Sequence, residues 1–248
     1  MADPTVAACQ HAVVDADPDA NVATVRERLA DLPVRVDVAV FPEYGLTGFD
    51  ADDPDECAIA RDGAELAAVE AAAASHDVAV LVGFLERAGD AYYNTLAYVA
   101  PDGERTHYRK RNLWGDEAAV VTPGEERVVV ETPAGPTGLL TCYDLNFVGE
   151  SAAFTERAVD ALFVPGAWPA AHAANWDLLL RARALDGVRW VVGCGRTGEN
   201  AHGRYAGRSA VVRPDGTVGA RLGRGERDLV ATLDGDVLAE QRDLVGVP

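Results

Sequence analysis

A layered α/β fold with two sheets is what this sequence predicts, and three observations lead there. Short, continuous apolar runs bounded by turn residues recur along the chain and read as buried strands. Helical stretches alternate with them, and long runs of coil are few. Both halves give α/β units followed by a β-hairpin, an echo of architecture without a repeat of sequence. No linker divides the 248 residues, so the whole chain, 1–248, reads as one domain.

In order, Thr5–Gln10 is the first predicted strand. Asn21 is expected to cap a helix reaching about Leu32, with Val22, Val25 and Leu29 on one face. Val36–Phe41 is a continuous apolar strand that runs into Pro42-Glu43-Tyr44-Gly45. Leu66–Ser75 is an Ala-rich helix and Val78–Leu85 a strand. Tyr93–Ala100 and Glu104–Arg109 flank the turn Pro101-Asp102-Gly103 as a hairpin. The loop Arg111–Gly124 follows, then two strands, Arg127–Glu131 and Thr137–Thr141. The second half offers a helix over 147–158, a strand Ala161–Pro165, a helix over about Ala173–Leu185 and a strand Arg189–Gly195. A hairpin at Pro214-Asp215-Gly216 and a strand Asp228–Leu233 end the assignment.

The 22 basic and 40 acidic residues leave a net charge of −18, and the acids are scattered. Such a surface argues against nucleic acid and against anionic membranes, which both need basic patches. With arginine in place of lysine and much Ala, Gly and Val, it resembles a salt-adapted, halophile-type protein. The N-terminus lacks a basic segment followed by an apolar core, and no apolar run reaches membrane-spanning length. The cysteines Cys9, Cys57, Cys142 and Cys194 form no C-x-x-C pair, which argues against structural zinc. They read as free thiols of a cytoplasmic protein. Gly193-Cys-Gly195-Arg-Thr-Gly198 fits a dinucleotide fingerprint, but no helix follows it, so that reading is set aside.

Three residues carry candidate chemistry. Cys142 ends a buried strand ahead of a predicted helix, a geometry that exposes a nucleophile above a sheet edge. A nearby helix N-terminus is expected to lower its thiol pKa. Lys110 is the only lysine among the 22 basic residues, so this position calls for a compact ammonium that guanidinium cannot replace. Glu43 directly follows a buried strand at the edge where sites form in α/β sheets. Thiolate attack on a carbonyl or nitrile carbon would give a thioester or thioimidate. Glu43 would take the thiol proton and pass it to departing ammonia, and Lys110 with the Tyr143 N–H would meet the oxyanion. The five histidines offer a rival base, and nothing selects one of them.

These residues stand in three blocks: Phe41-Pro-Glu43-Tyr-Gly-Leu-Thr-Gly-Phe49, Tyr108-Arg-Lys110-Arg-Asn-Leu-Trp114 and Cys142-Tyr-Asp-Leu-Asn-Phe147. In that order and spacing they resemble the signature blocks of the nitrilase superfamily of carbon–nitrogen hydrolases. Gln10, Asn21, Tyr93-Asn94, Pro165-Gly-Ala-Trp168 and Arg181-Ala-Arg183 extend the likeness over about Thr5–Asp234. The resemblance implies a four-layer αββα sandwich that forms a homodimer or higher homo-oligomer. It implies a Glu43–Lys110–Cys142 triad without metal or organic cofactor, and Glu117, Tyr143 and Trp168 as substrate-binding residues. Tyr143 after the cysteine looks like the amidase branches, so a small-molecule amide is the expected substrate and ammonia the expected product. An N-carbamoyl-amine or amino-acid hydrolase, a nitrilase and a catalytically silent binding protein of the same fold are the alternatives. Asn146 and Val148 stand where related members often carry Arg and Pro, and Asp186-Gly187 where Glu-Asn is usual.

Overall fold

A computed structural model of the chain describes residues 3–201 and 203–247. Two six-stranded sheets lie at its centre. The first contains β1 (Thr5–Gln10), β2 (Val38–Val40), β3 (Ala79–Ala88), β4 (Ala91–Val99) and β5 (Arg105–Arg109). The second contains β6 (Val129–Thr132), β7 (Gly135–Leu139), β8 (Ala161–Gly166) and β9 (Trp190–Gly195). After the short pair β10 (Glu199–Asn200) and β11 (Gly203–Arg204), β12 (Ala210–Val212) and β13 (Val218–Arg221) complete the second sheet. The chain then returns, and β14 (Arg227–Thr232) pairs antiparallel with β1. The orders are β14-β1-β2-β3-β4-β5 and β13-β12-β9-β8-β7-β6, each with a parallel centre flanked by antiparallel strands. The predicted echo of the two halves is therefore an echo of topology.

Strand alternation explains the layers. Val6 and Ala8 of β1 point into a core shared with Leu139, Phe163 and Val192 of the other sheet. Ala7 and Cys9 point the other way, onto Val25 and Leu29 of α1 (Pro18–Asp31) and Leu66 and Val69 of α2 (Ala64–His76). On the second sheet Leu162, Val164 and Val191 meet Phe154 of α4 (Val148–Glu156) and Trp176 and Leu180 of α5 (Ala173–Leu185). The result is the αββα sandwich, with one apolar core between the sheets and one under each helix pair. Each fully buried Leu, Val or Phe contributes on the order of 1.5–3 kcal/mol relative to exposure.

Several local expectations change. Helix α1 begins three residues before Asn21: Asp17 caps it, accepting from Ala20 N at 3.0 Å, and Pro18 supplies the preset φ of a first turn. Asn21 is buried inside that helix and bonds Val14 N, Val14 O and Leu46 O, so it pins the β1 exit loop instead. The second strand is shorter than Val36–Phe41, although Phe41 N still donates to Leu81 O at 2.8 Å before Pro42 stops the ladder. The helix expected over 147–158 is α4, and ahead of it Cys142–Asn146 forms a 3-10 turn that the sequence does not predict. Past Leu233 the chain adds a helix beyond the elements the sequence predicts, α6 (Gly235–Val245). Asp234 caps it, Leu238 reaches the inter-sheet core, and Arg242 bonds Asp160 and Val159 O.

Candidate active site

Glu43, Lys110 and Cys142 each follow a strand end, and the two sheets bring them to one place. Glu43 leaves β2 in a tight turn in which Gly45 N bonds Pro42 O and Gly48 N bonds Tyr44 O, with Tyr44 at φ +54°. That turn lies directly on β3. A Cβ at Gly83 would stand 2.7 Å from Tyr44 N and 3.0 Å from Glu43 Cα, so only glycine admits so close an approach. Lys110 leaves β5 with its own N–H on Asn94 O and its carbonyl accepting from Gly124 N. Cys142 opens the 3-10 turn after β7 at φ +46°, a strained conformation for a side-chain-bearing residue.

The side chains interlock. Lys110 Nζ donates to Glu43 Oε1 at 2.9 Å and to Glu117 Oε2 at 2.7 Å. Asn94 Nδ2 donates to the same Glu43 oxygen at 2.8 Å and to Glu117 Oε1 at 2.7 Å. Tyr44 OH and the Trp114 N–H complete the shell of Glu117, which sits in the one-turn helix α3 (Glu117–Val120) rather than in open loop. Ala167 N donates to Glu43 Oε2 at 2.7 Å, and the charges of Glu43 and Lys110 both act on the Cys142 thiol. Glu43, Lys110, Glu117 and Cys142 are all buried, at 2, 3, 6 and 8% exposure, so the charges interact with little screening.

The electrostatics follow from those contacts. Burial alone would lower the Lys110 pKa, but the charges of Glu43 and Glu117 outweigh it and hold the ammonium well above its ordinary range. Burial works to raise the Glu117 pKa, yet Lys110, Asn94 and Tyr44 hold it below the usual carboxylate value. The Cys142 thiol goes the opposite way from the sequence expectation. Burial and then the charge of Glu43 push it well above a free cysteine, and Lys110 offsets them only in part. A thiol in this setting is protonated at rest, with the Glu43 carboxylate as the nearby base.

Tyr143 and Trp168 flank this cluster. Tyr143 follows Cys142, and its ring meets Phe147 edge-on at 5.4 Å. Its N–H belongs to the first turn of the 3-10 segment, where amides have no intrahelical partner. Trp168 follows the Ala167 amide that holds Glu43; its indole N–H is spent on His172 O, leaving the ring as a buried apolar wall against Trp176. Tyr44, Asn94 and Asp144 complete the surroundings, three residues beyond the sequence-predicted site. Asn94 carried a signal: it is a polar residue inside an apolar strand, and such a residue must find partners. Among the described residues no histidine belongs to this cluster; His202 lies outside them. Nor, among them, does any group of three or more His, Cys, Asp or Glu stand ready to hold a metal ion. No helix of the described chain is long and apolar enough to cross a membrane.

Comparison with known proteins shows the family. The carbon–nitrogen hydrolase family model matches residues 5–243. A 2-oxoglutaramate amidase of Bacillus subtilis is 28% identical over 98% of this chain and 95% of its own length. An (R)-stereoselective amidase of a Pseudomonas species is 31% identical over 92% of this chain and 85% of its own. Among solved structures, a CN-hydrolase superfamily protein of Xanthomonas campestris with an arsenic adduct in its active site superposes with a TM-score of 0.92 at 28% identity, covering 99% of this chain and 96% of that one. The chain belongs to the carbon–nitrogen hydrolase family.

Proposed function

We propose that this carbon–nitrogen hydrolase is a cysteine-dependent amidase that cleaves the C–N bond of a small linear amide through a thioester and releases ammonia. The observation that carries the reading is the buried Glu43 carboxylate, which accepts from Lys110 Nζ at 2.9 Å and whose charge acts on the Cys142 thiol. As the sulfur attacks the amide carbonyl, its proton passes to Glu43 and the S–C bond forms. The oxyanion is met by Lys110 and the Tyr143 N–H. Collapse breaks the C–N bond, Glu43 returns the proton to nitrogen, and ammonia leaves. Water then adds to the thioester, with Glu43 taking its proton and restoring it to the thiol as the carboxylic acid departs. Glu117, fixed by four donors, orients Lys110 toward that oxyanion and borders the place where the leaving nitrogen and the incoming water stand. No step needs a cofactor.

The amidase names of both curated relatives support an amide over a nitrile or a carbamoyl compound. The test is a panel of primary amides, N-carbamoyl compounds and nitriles, assayed for ammonia and carbon dioxide. The amide reading expects ammonia without carbon dioxide, a covalent acyl adduct on Cys142 by mass spectrometry, and no turnover by Cys142→Ala. Ammonia with carbon dioxide, or turnover that survives Cys142→Ala, would overturn it.

A further inference from the structure

Lys110 enters the site from the first sheet and Cys142 from the second. Something must fix one relative to the other, because an oxyanion donor is useful only at the right distance from the nucleophile. One buried carboxylate spans the gap. Asp144 Oδ2 accepts from Tyr108 OH at 2.6 Å and from Thr141 N at 2.9 Å. Its Oδ1 accepts from Asn112 N at 3.0 Å and from Asn112 Nδ2 at 2.9 Å. Tyr108 and Asn112 bracket Lys110 at two residues on either side. Thr141 is the residue before Cys142, and Asp144 N returns a bond to Thr141 O at 2.9 Å, closing the turn that holds Cys142 at positive φ. Asp144 is fully buried, as is Tyr108.

We propose that Asp144 is a positioning residue: it locks the Lys110 segment to the Cys142 turn and so sets the geometry between ammonium and sulfur. The inference rests on the amidase reading for its kinetic consequence only. Four hydrogen bonds to one charged, desolvated acceptor are individually strong. They also differ in which side they hold, Tyr108 and Asn112 on one and Thr141 on the other. An amide in place of the carboxylate cannot reproduce them, since its NH2 would face N–H donors. Asp144 touches neither substrate nor the reacting atoms in this scheme; it acts through what it holds in place.

The experiment compares wild type with Asp144→Asn and Tyr108→Phe, the latter removing the hydroxyl on the Lys110 side alone. For each, kcat per titratable thiol, KM, melting temperature and the pH profile of iodoacetamide alkylation at Cys142 are measured. The expected result is a kcat per active site lower by about a hundredfold in Asp144→Asn, the loss that a small misplacement produces, with KM nearly unchanged. Tyr108→Phe is expected to lose less, and the double variant no more than Asp144→Asn alone, because both break one link. The midpoint of alkylation is expected to move in both variants as Lys110 and Glu43 shift relative to the sulfur. This last readout needs no substrate, so it stands even if the amidase reading fails. A lower melting temperature with unchanged kcat per site and an unmoved alkylation profile would make Asp144 merely structural and overturn the proposal. Should Asp144→Asn not fold, the same two readouts on Tyr108→Phe decide.

Discussion

Lys110 Nζ stands 2.9 Å from Glu43 Oε1, and the lysine so placed is the only one in the chain. A chain that uses arginine elsewhere keeps a point-like ammonium where a second carboxylate, Glu117, closes in at 2.7 Å. The guanidinium of Lys110→Arg keeps the charge but is larger and planar. It cannot serve both carboxylates and the oxyanion from one point. Loss of such a donor costs about 2.7–4 kcal/mol in the transition state, a hundred- to a thousandfold in kcat. Because Lys110 is buried, overpacking costs about 1–3 kcal/mol of stability as well. Kinetics on the folded fraction, with circular dichroism as the check of fold, separate the two. Near-wild-type kcat in this variant would remove Lys110 from the mechanism.

Glu43→Gln is expected to move two measurements in opposite directions. Burial and the Glu43 charge both raise the Cys142 thiol, so removing that charge lets the thiol ionise at lower pH. Alkylation by iodoacetamide near neutral pH should therefore be faster than in wild type. Amide turnover should fall by about a hundred- to ten-thousandfold, the range for loss of a general base. Slower alkylation would mean that Glu43 acts on the sulfur more as a base that takes its proton than as a charge that opposes its ionisation.

The three residues that the structure brings together are ones that each carry a local signal in the sequence. Lys110 stood out by composition, Glu43 by following a buried strand, Cys142 by ending one. The layer structure was legible because apolar runs of strand length alternate with helical ones. What failed depended on neighbours distant in sequence. Asp17 and Asn21 are both good caps, and only the contacts of Asn21 with Val14 and Leu46 show which is spent elsewhere. The thiol was expected to be acidified by a helix end, but the partner that matters, Glu43, comes from the other sheet. Asp144 is invisible for the same reason: its partners lie 32 and 36 residues away.

His11 makes stability sensitive to mild acid. It is fully buried, its Nδ1 is satisfied by Cys9 O at 2.9 Å, and its Nε2 has no partner among the described residues. Burial, aided by the charges of Arg28 and Arg196, pushes its pKa down from 6.5 to about 4. The folded value lies below the unfolded one, so the unfolded chain binds the proton first. Stability is thus full above pH 6.5 and is lost as pH falls toward 4, by on the order of 3 kcal/mol in total. The depressed carboxylates Glu86 and Glu117 cost stability only at lower pH, below their ordinary 4.5. Urea unfolding at several pH values between 6.5 and 4.5 should show the slope, and His11→Gln should flatten it. An equal slope in that variant would assign the acid sensitivity to other groups.

Salt should stabilise this protein. The 40 acids exceed the 22 bases, so even complete pairing leaves 18 negative charges repelling one another. Screening acts on attraction and repulsion alike, and the outcome depends on which charges water reaches. The attractive pairs nearest the centre are shielded from salt by burial: Lys110 with Glu43 and Glu117, Glu86 with Arg109, and Arg196 with Asp15 all have at least one partner under 4% exposed. Open pairs such as Arg204–Glu199 and Arg87–Asp55 are more than half exposed and contribute at most about 1 kcal/mol each. The excess acids are scattered over the surface, where salt screens them fully. Repulsion therefore falls more than attraction, and the melting temperature should rise from dilute buffer to molar KCl. Sodium and potassium chloride should act alike if screening is the cause. A melting temperature that falls with salt would mean that the open ion pairs outweigh the excess charge, and the halophile-type reading of the surface would go with it.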